Sequence, residues 1–185
     1  MKETNNQAFI DGQNLAISTK YAKTPWVIDL KRFRIFLAER FNVSEAYYFI
    51  GAFDSSKQNL YSALQRFGYI VIFREHACGV LSHKKGNVDT DIVFLVMKKL
   101  VEKEDFDRVV LVSGDGDYWR MVDYLIKSNK FCKLLVPNKH RLSSLYRLRM
   151  PDSYCMYLDD SSTKQKIILK RRKKQNKDND GDKTK

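Results

Sequence analysis

"VLVSGDGDYWRMV", residues 110–122, decides how the rest of the chain is read. An apolar, β-branched run leads into Ser113 and Gly114. Asp115 and Asp117 then stand one residue apart in a glycine-rich turn, and a helix-period segment follows. Such a run, closed by glycine, reads as a buried strand feeding a helix. The same alternation spreads in both directions. Strands are expected at "QAFID", "EAYYFIGAF", "YIVIFRE", "RVVLVSG" and "FCKLLVP", with "SYCMYL" as a last edge strand. "DLKRFRIFLAERF" places Leu30, Phe33, Leu37 and Phe41 on one helical face, with Asp29 as its cap. "SSKQNLYSALQRFG" aligns Leu60, Leu64 and Phe67, and Gly68 ends it. Further helices are expected in "DTDIVFLVMKKLVEKE" and "YWRMVDYLIKSN", and a short one in "RLSSLYRL". Near-continuous apolar strands alternating with helices predict an α/β fold whose mainly parallel sheet is covered on both faces.

The chain has 185 residues, the size of one domain. No apolar run approaches the roughly 20 residues of a membrane span. "MKETNNQ" lacks the apolar core of a secretory signal. Cys78, Cys132 and Cys155 cannot all pair, which fits a reducing cytosol and a cytoplasmic protein. The net charge of +12 is unevenly spread. From Ser161 onward there are ten Lys/Arg against three Asp, leaving 24 basic and 19 acidic residues on the remainder. Residues 161–185 are therefore expected to form a basic, disordered tail, either solubilising or binding a polyanion such as RNA or DNA. A membrane is not the expected partner, because no amphipathic helix is evident beyond "KIILK".

In parallel α/β sheets, ligands bind beyond the carboxyl ends of the strands. Asp11 closes the first strand in "FIDGQN", and Asp115 and Asp117 follow the fourth in "VSGDGDY". Asp89 and Asp91, in "KGNVDTDI", open a helix at the same expected edge. Taken singly, Asp11 reads as a strand-end residue, and Asp89 or Asp117 as a helix cap. Taken together they form an acidic cluster. Two carboxylates about 5 Å apart repel by about 3 kcal/mol at an effective dielectric near 20. Such a cluster needs protons or a cation, and an all-oxygen donor set suits Mg²⁺ or Mn²⁺.

These three segments, in this order and spacing, resemble the signatures of the NYN domain in its LabA-like branch, within the PIN-like nucleases. The resemblance covers about residues 7–158. It implies a Rossmann-like three-layer α/β/α sandwich over residues 1–160 and metal-dependent cleavage of RNA. It also implies that Asp11, Asp89 and Asp115 are metal ligands, with Asp91 and Asp117 as further candidates and Asn14 beside the first acid. Single-stranded RNA is the expected substrate, with DNA left open. A non-catalytic module that keeps the fold to bind RNA or a protein is the alternative.

Other residues are candidates for gripping substrate. Residues 14–28 read as a loop over the site that holds Lys20, Tyr21, Lys23 and Trp26, in which the lysines meet phosphate and an aromatic ring stacks on a base, unless Trp26 anchors the next helix instead. Lys84 and Lys85 adjoin the acidic helix start and are phosphate candidates. Ser113 either orients a ligand or holds the turn. A zinc site built on His76, Cys78 and His83 lacks a matching second half. No Walker loop or Gly-x-Gly-x-x-Gly fingerprint is present, which argues against an NTPase or dinucleotide enzyme. An edge strand at "SYCMYL" leaves a homo-oligomer open.

Overall fold

The computed structural model describes residues 4–74 and 88–170. Its centre is a six-stranded sheet made of β1 (Asn6–Asp11), β2 (Val43–Ile50), β3 (Tyr69–Phe73), β4 (Val109–Val112), β5 (Phe131–Val136) and β6 (Cys155–Tyr157). The order across the sheet is β3-β2-β1-β4-β5-β6, and every pairing is parallel. Succession runs outward one way from β1 and the other way from β4. The switch point of the doubly wound sheet therefore lies between β1 and β4, where a crevice opens at the carboxyl ends.

Strand alternation sorts the core into two layers. Phe9, Phe49, Val109 and Leu111 face one side, where they pack with Ile92 and Val96 of α4 (Asp89–Val101) and Val122 and Leu125 of α5 (Trp119–Lys127). Ala8, Ile10, Val110 and Val112 face the other. They meet Leu15 of α1 (Gly12–Lys20), Phe33 and Leu37 of α2 (Leu30–Phe41) and Leu64 of α3 (Gln58–Arg66). The result is the three-layer α/β/α sandwich. Asp29 caps α2 by accepting a hydrogen bond from the Arg32 amide at 3.1 Å. Gly68 stops the chain after α3 with a φ of 85°, in the left-handed region that glycine tolerates. A short α6 (Ser144–Arg149) follows β5. Among the described residues no helix is long and apolar enough to cross a membrane.

Three local expectations change. Residues 12–20 are the helix α1 rather than part of a loop. Its apolar pattern is weak, because Gly12, Ser18 and Thr19 are three of its four buried positions. What starts it is Asp11, whose carboxylate accepts from the Asn14 amide. In α3, Tyr61 and Leu64 are the buried pair, while Leu60 stays largely open. The chain also does not lose order at Ser161. Residues Ser161–Ile167 form α7, with Thr163 and Ile167 buried, and Ile168 bridges to Ile28. Ile167 and Ile168 supply the apolar surface that makes this turn of helix worth ordering.

Gly12 is the tightest point at the switch. A Cβ there would lie 2.4 Å from Tyr48 Cε1 and 2.6 Å from the Phe49 carbonyl oxygen. Neither atom can move without disturbing β2. Gly12→Ala is expected to destabilise the protein by about 2–3 kcal/mol, read as a lower urea midpoint at unchanged slope.

Candidate metal centre

Each acid is placed by its own backbone. Asp11 ends β1, and its Oδ1 accepts from the Asn14 N–H at 2.8 Å. Asn14 Oδ1 in turn accepts from the Gly114 N–H at 3.1 Å, tying the end of β1 to the turn after β4. In that turn the buried Ser113 hydroxyl accepts from the Asp115 N–H, and Asp115 Oδ1 accepts from the Asp117 N–H, both at 3.1 Å. These bonds wind a single 3₁₀ turn, Gly116–Tyr118, that leads into α5. Asp89 arrives as the first residue of α4, where the helix N-terminus favours negative charge.

One carboxylate oxygen from each of Asp89, Asp115 and Asp117 lies within 4.8 Å of the others. Asp11 joins them through Tyr118. The Tyr118 hydroxyl is 3.1 Å from Asp11 Oδ2 and also hydrogen-bonds Asp89 Oδ1. A phenol has one proton and cannot donate to two carboxylates. Both contacts are hydrogen bonds only when one carboxyl carries a proton of its own. Asp11 carries one only below about pH 6. Burial raises its pKa to about 6, against the lowering effect of the Asn14 amide, and the charge of Asp89 raises it further. Tyr118 is held far above the usual phenol range, by burial first and then by the charge of Asp11. It therefore stays a donor to the pair.

The cleft containing these acids is also lined by Gln13, Asn14, Ser18 and Arg141. The three clustered oxygens are a hard, all-oxygen donor set, and they suit a divalent cation of the Mg²⁺ or Mn²⁺ kind.

The expected site residues divide. Asp11, Asp89, Asp115, Asp117 and Asn14 come together at this cleft. Asp91 is outside the three-oxygen group, and its Oδ2 is buried without a hydrogen-bond partner among the described residues. Ser113 is fully buried and holds the turn. Trp26 is not a stacking platform. It is only 5% exposed, packed in the α1–α2 layer, with Lys164 Nζ above its ring. Lys20 ends α1 and lines an apolar groove with Trp26 rather than the acidic cleft. Lys84, Lys85, His76, Cys78 and His83 lie outside the described residues. Cys132 and Cys155 are half-buried, and burial pushes both thiols up, away from nucleophilic use.

Two residues at the cleft had no sequence signal that singled them out. Tyr118 reads as the start of a helix, although its position directly after the acidic turn is the available hint. Arg141 lies 24 residues beyond Asp117, and only the packing of its backbone against Gly114 brings it to the site.

The NYN domain sequence pattern matches residues 7–149, and the chain belongs to this family of PIN-like nuclease-type domains. It is 30% identical over 126 residues to the low amplitude and bright protein LabA of Synechococcus elongatus, a similarity that supports the LabA-like branch. The alignment covers 63% of this chain and 65% of LabA, so the chain spans slightly less than two thirds of that relative. The fold matches that of a protein of unknown function from Vibrio parahaemolyticus. The TM-score is 0.68 at 22% identity, over 90% of this chain and 97% of that one.

The raised Asp11 pKa has a definite sign. Between about 4 and 6 the folded state binds more protons than the unfolded chain, so stability falls as pH rises through that window. The loss is on the order of 3 kcal/mol in metal-free protein. Asp11→Asn removes the charge and is expected to raise chelated-protein stability near neutral pH and flatten its pH dependence. Urea unfolding in the presence of chelator, across that pH range, measures both.

Proposed function

We propose that the protein is a divalent-cation-dependent ribonuclease that hydrolyses phosphodiester bonds in single-stranded RNA in the cytoplasm. The observation that carries this reading is the meeting, at one switch point, of acids from three separate segments: Asp11, Asp89, and the Asp115–Asp117 turn. Asp89, Asp115 and Asp117 would hold Mg²⁺ or Mn²⁺, with Asp11 adjoining. When bound, such an ion supplies Lewis acidity at the scissile phosphate and a water of lowered pKa.

The chain's own groups do the rest. Tyr118 fixes the direction of the Asp89 carboxylate by donating to it, and Asp11 holds or releases a proton next to that phenol. Asn14 keeps the ends of β1 and β4 in register, so the acids from the two strands stay at a set separation. Electrostatics add a constraint. A phosphate backbone cannot approach several ionised carboxylates unless their charge is neutralised, whereas basic residues outside the cleft attract it regardless. Chelation should therefore stop cleavage while leaving much of the binding intact. A single strand can bend its backbone into the cleft, which a duplex resists.

Purified protein incubated with labelled single-stranded RNA and Mn²⁺ is expected to cleave it. Asp115→Asn should reduce the rate about 100-fold or more, the upper end of what loss of a group merely supporting a metal ligand costs. Cleavage at equal rates by both proteins would point to a contaminant or another site, and RNA binding that survives chelation with no turnover at all would leave a binding module as the better reading.

A further inference from the structure

The cleft accounts for the acids but not for what borders them. The segment 139–149, "KHRLSSLYRLR", carries four Lys/Arg and no acid, and it packs directly on the acidic turn. The Ser143 N–H donates to the Gly114 carbonyl at 3.0 Å. A Cβ at Gly114 would stand 3.3 Å from the Arg141 carbonyl oxygen. The backbone of residue 141 is thus fixed against the turn that bears Asp115. Its side chain is exposed, lines the acidic cleft, and makes no ion pair among the described residues.

The Arg141 guanidinium lies 5.6 Å from the ring centroid of Tyr21. Tyr21 follows α1 directly, and 61% of its surface is exposed. Lys20 Nζ is 5.4 Å from the same ring. An aromatic ring left in solvent, with Lys20 and a cation that lines the acidic cleft both against it, combines two separate recognition chemistries. The ring offers a face on which an unpaired base stacks, and the cations offer charge to the adjoining phosphates. Trp26, the other aromatic of residues 14–28, is buried and cannot perform this task.

We propose that Tyr21 and Arg141 form a nucleotide clamp for single-stranded RNA at the rim of the cleft, with Lys20 beside it. A base takes a face of Tyr21, and Arg141 turns to the phosphate next to that base. The strand is thereby held with its next phosphodiester over the acids. The clamp reads a flat ring of any base, so it sets strandedness rather than sequence. Its position over the acids rests on the ribonuclease reading, but its binding chemistry is tested separately.

The test uses the full chain carrying Asp115→Asn, which allows binding to be read without cleavage, and a short fluorescent RNA strand compared with the same strand made abasic at successive positions. The parent is expected to bind the intact strand about tenfold more tightly than the strand abasic at the clamped position. Tyr21→Ala should erase that difference while binding the abasic strand as the parent does. Arg141→Ala should lower the salt dependence of binding by about one phosphate contact, and Arg141→Lys should restore it. The basic residues 161–185 act equally on both strands and cancel in the comparison. Circular dichroism confirms folding, which the exposure of both residues makes robust. An abasic penalty that persists in Tyr21→Ala, or no penalty in the parent at any position, would overturn the clamp. Loss of wild-type cleavage with an intact abasic cycle would count against the ribonuclease reading alone.

Discussion

Mutual repulsion among carboxylates confined to one sheet edge is the constraint around which this structure is arranged. Asp11, Asp89, Asp115 and Asp117 come from three segments, with the second acid 78 positions after the first and the third 26 after the second, and folding alone brings them together. The fold bears the repulsion in three ways. The Asn14 and Asp117 amides donate to carboxylate oxygens. The α4 N-terminus receives Asp89. Tyr118 occupies the space between Asp11 and Asp89 and separates their charges with a shared hydroxyl. Asp11 is left with a pKa of about 6, raised first by burial and only then by the charges of Asp89 and Asp115. A site that conserved only stability would have no reason to gather these groups.

The rigidity of the surroundings follows from the same geometry. Gly12 lets β2 crowd against the start of α1, so the residue after Asp11 has no freedom to drift. Asn14 then reaches across the switch point to Gly114. Gly114 and Gly116 in turn admit Arg141 and Ser143 against the acidic turn. The glycines of "SGDGD" thus serve the segment that follows β5 as much as the turn itself.

Much of this was legible in the sequence because it depends on pattern. Continuous apolar strands and interleaved helices specify the parallel sheet, and Asp11, Asp89, Asp115 and Asp117 fall where carboxyl-end geometry places them. What was not legible depends on distance. α1 carries too little amphipathic contrast to stand out, because it is packed through Gly12, Ser18 and Thr19 as well as Leu15. Tyr118 looks like any first residue of a helix until Asp11 and Asp89 arrive on either side of it. Trp26 had two readings, base platform and helix anchor, and its burial in the α1–α2 layer fits the anchor. Tyr21, five residues earlier, is the exposed aromatic of that segment, and no periodicity distinguishes the two.

The proposed chemistry requires a divalent cation held between these acids. Anomalous diffraction from a crystal soaked in Mn²⁺ tests it most directly. A manganese peak is expected within bonding distance of Asp89, Asp115 and Asp117 oxygens, absent from an Asp115→Asn crystal treated identically. A peak elsewhere, or none at this cleft with the four carboxylates in place, would contradict it.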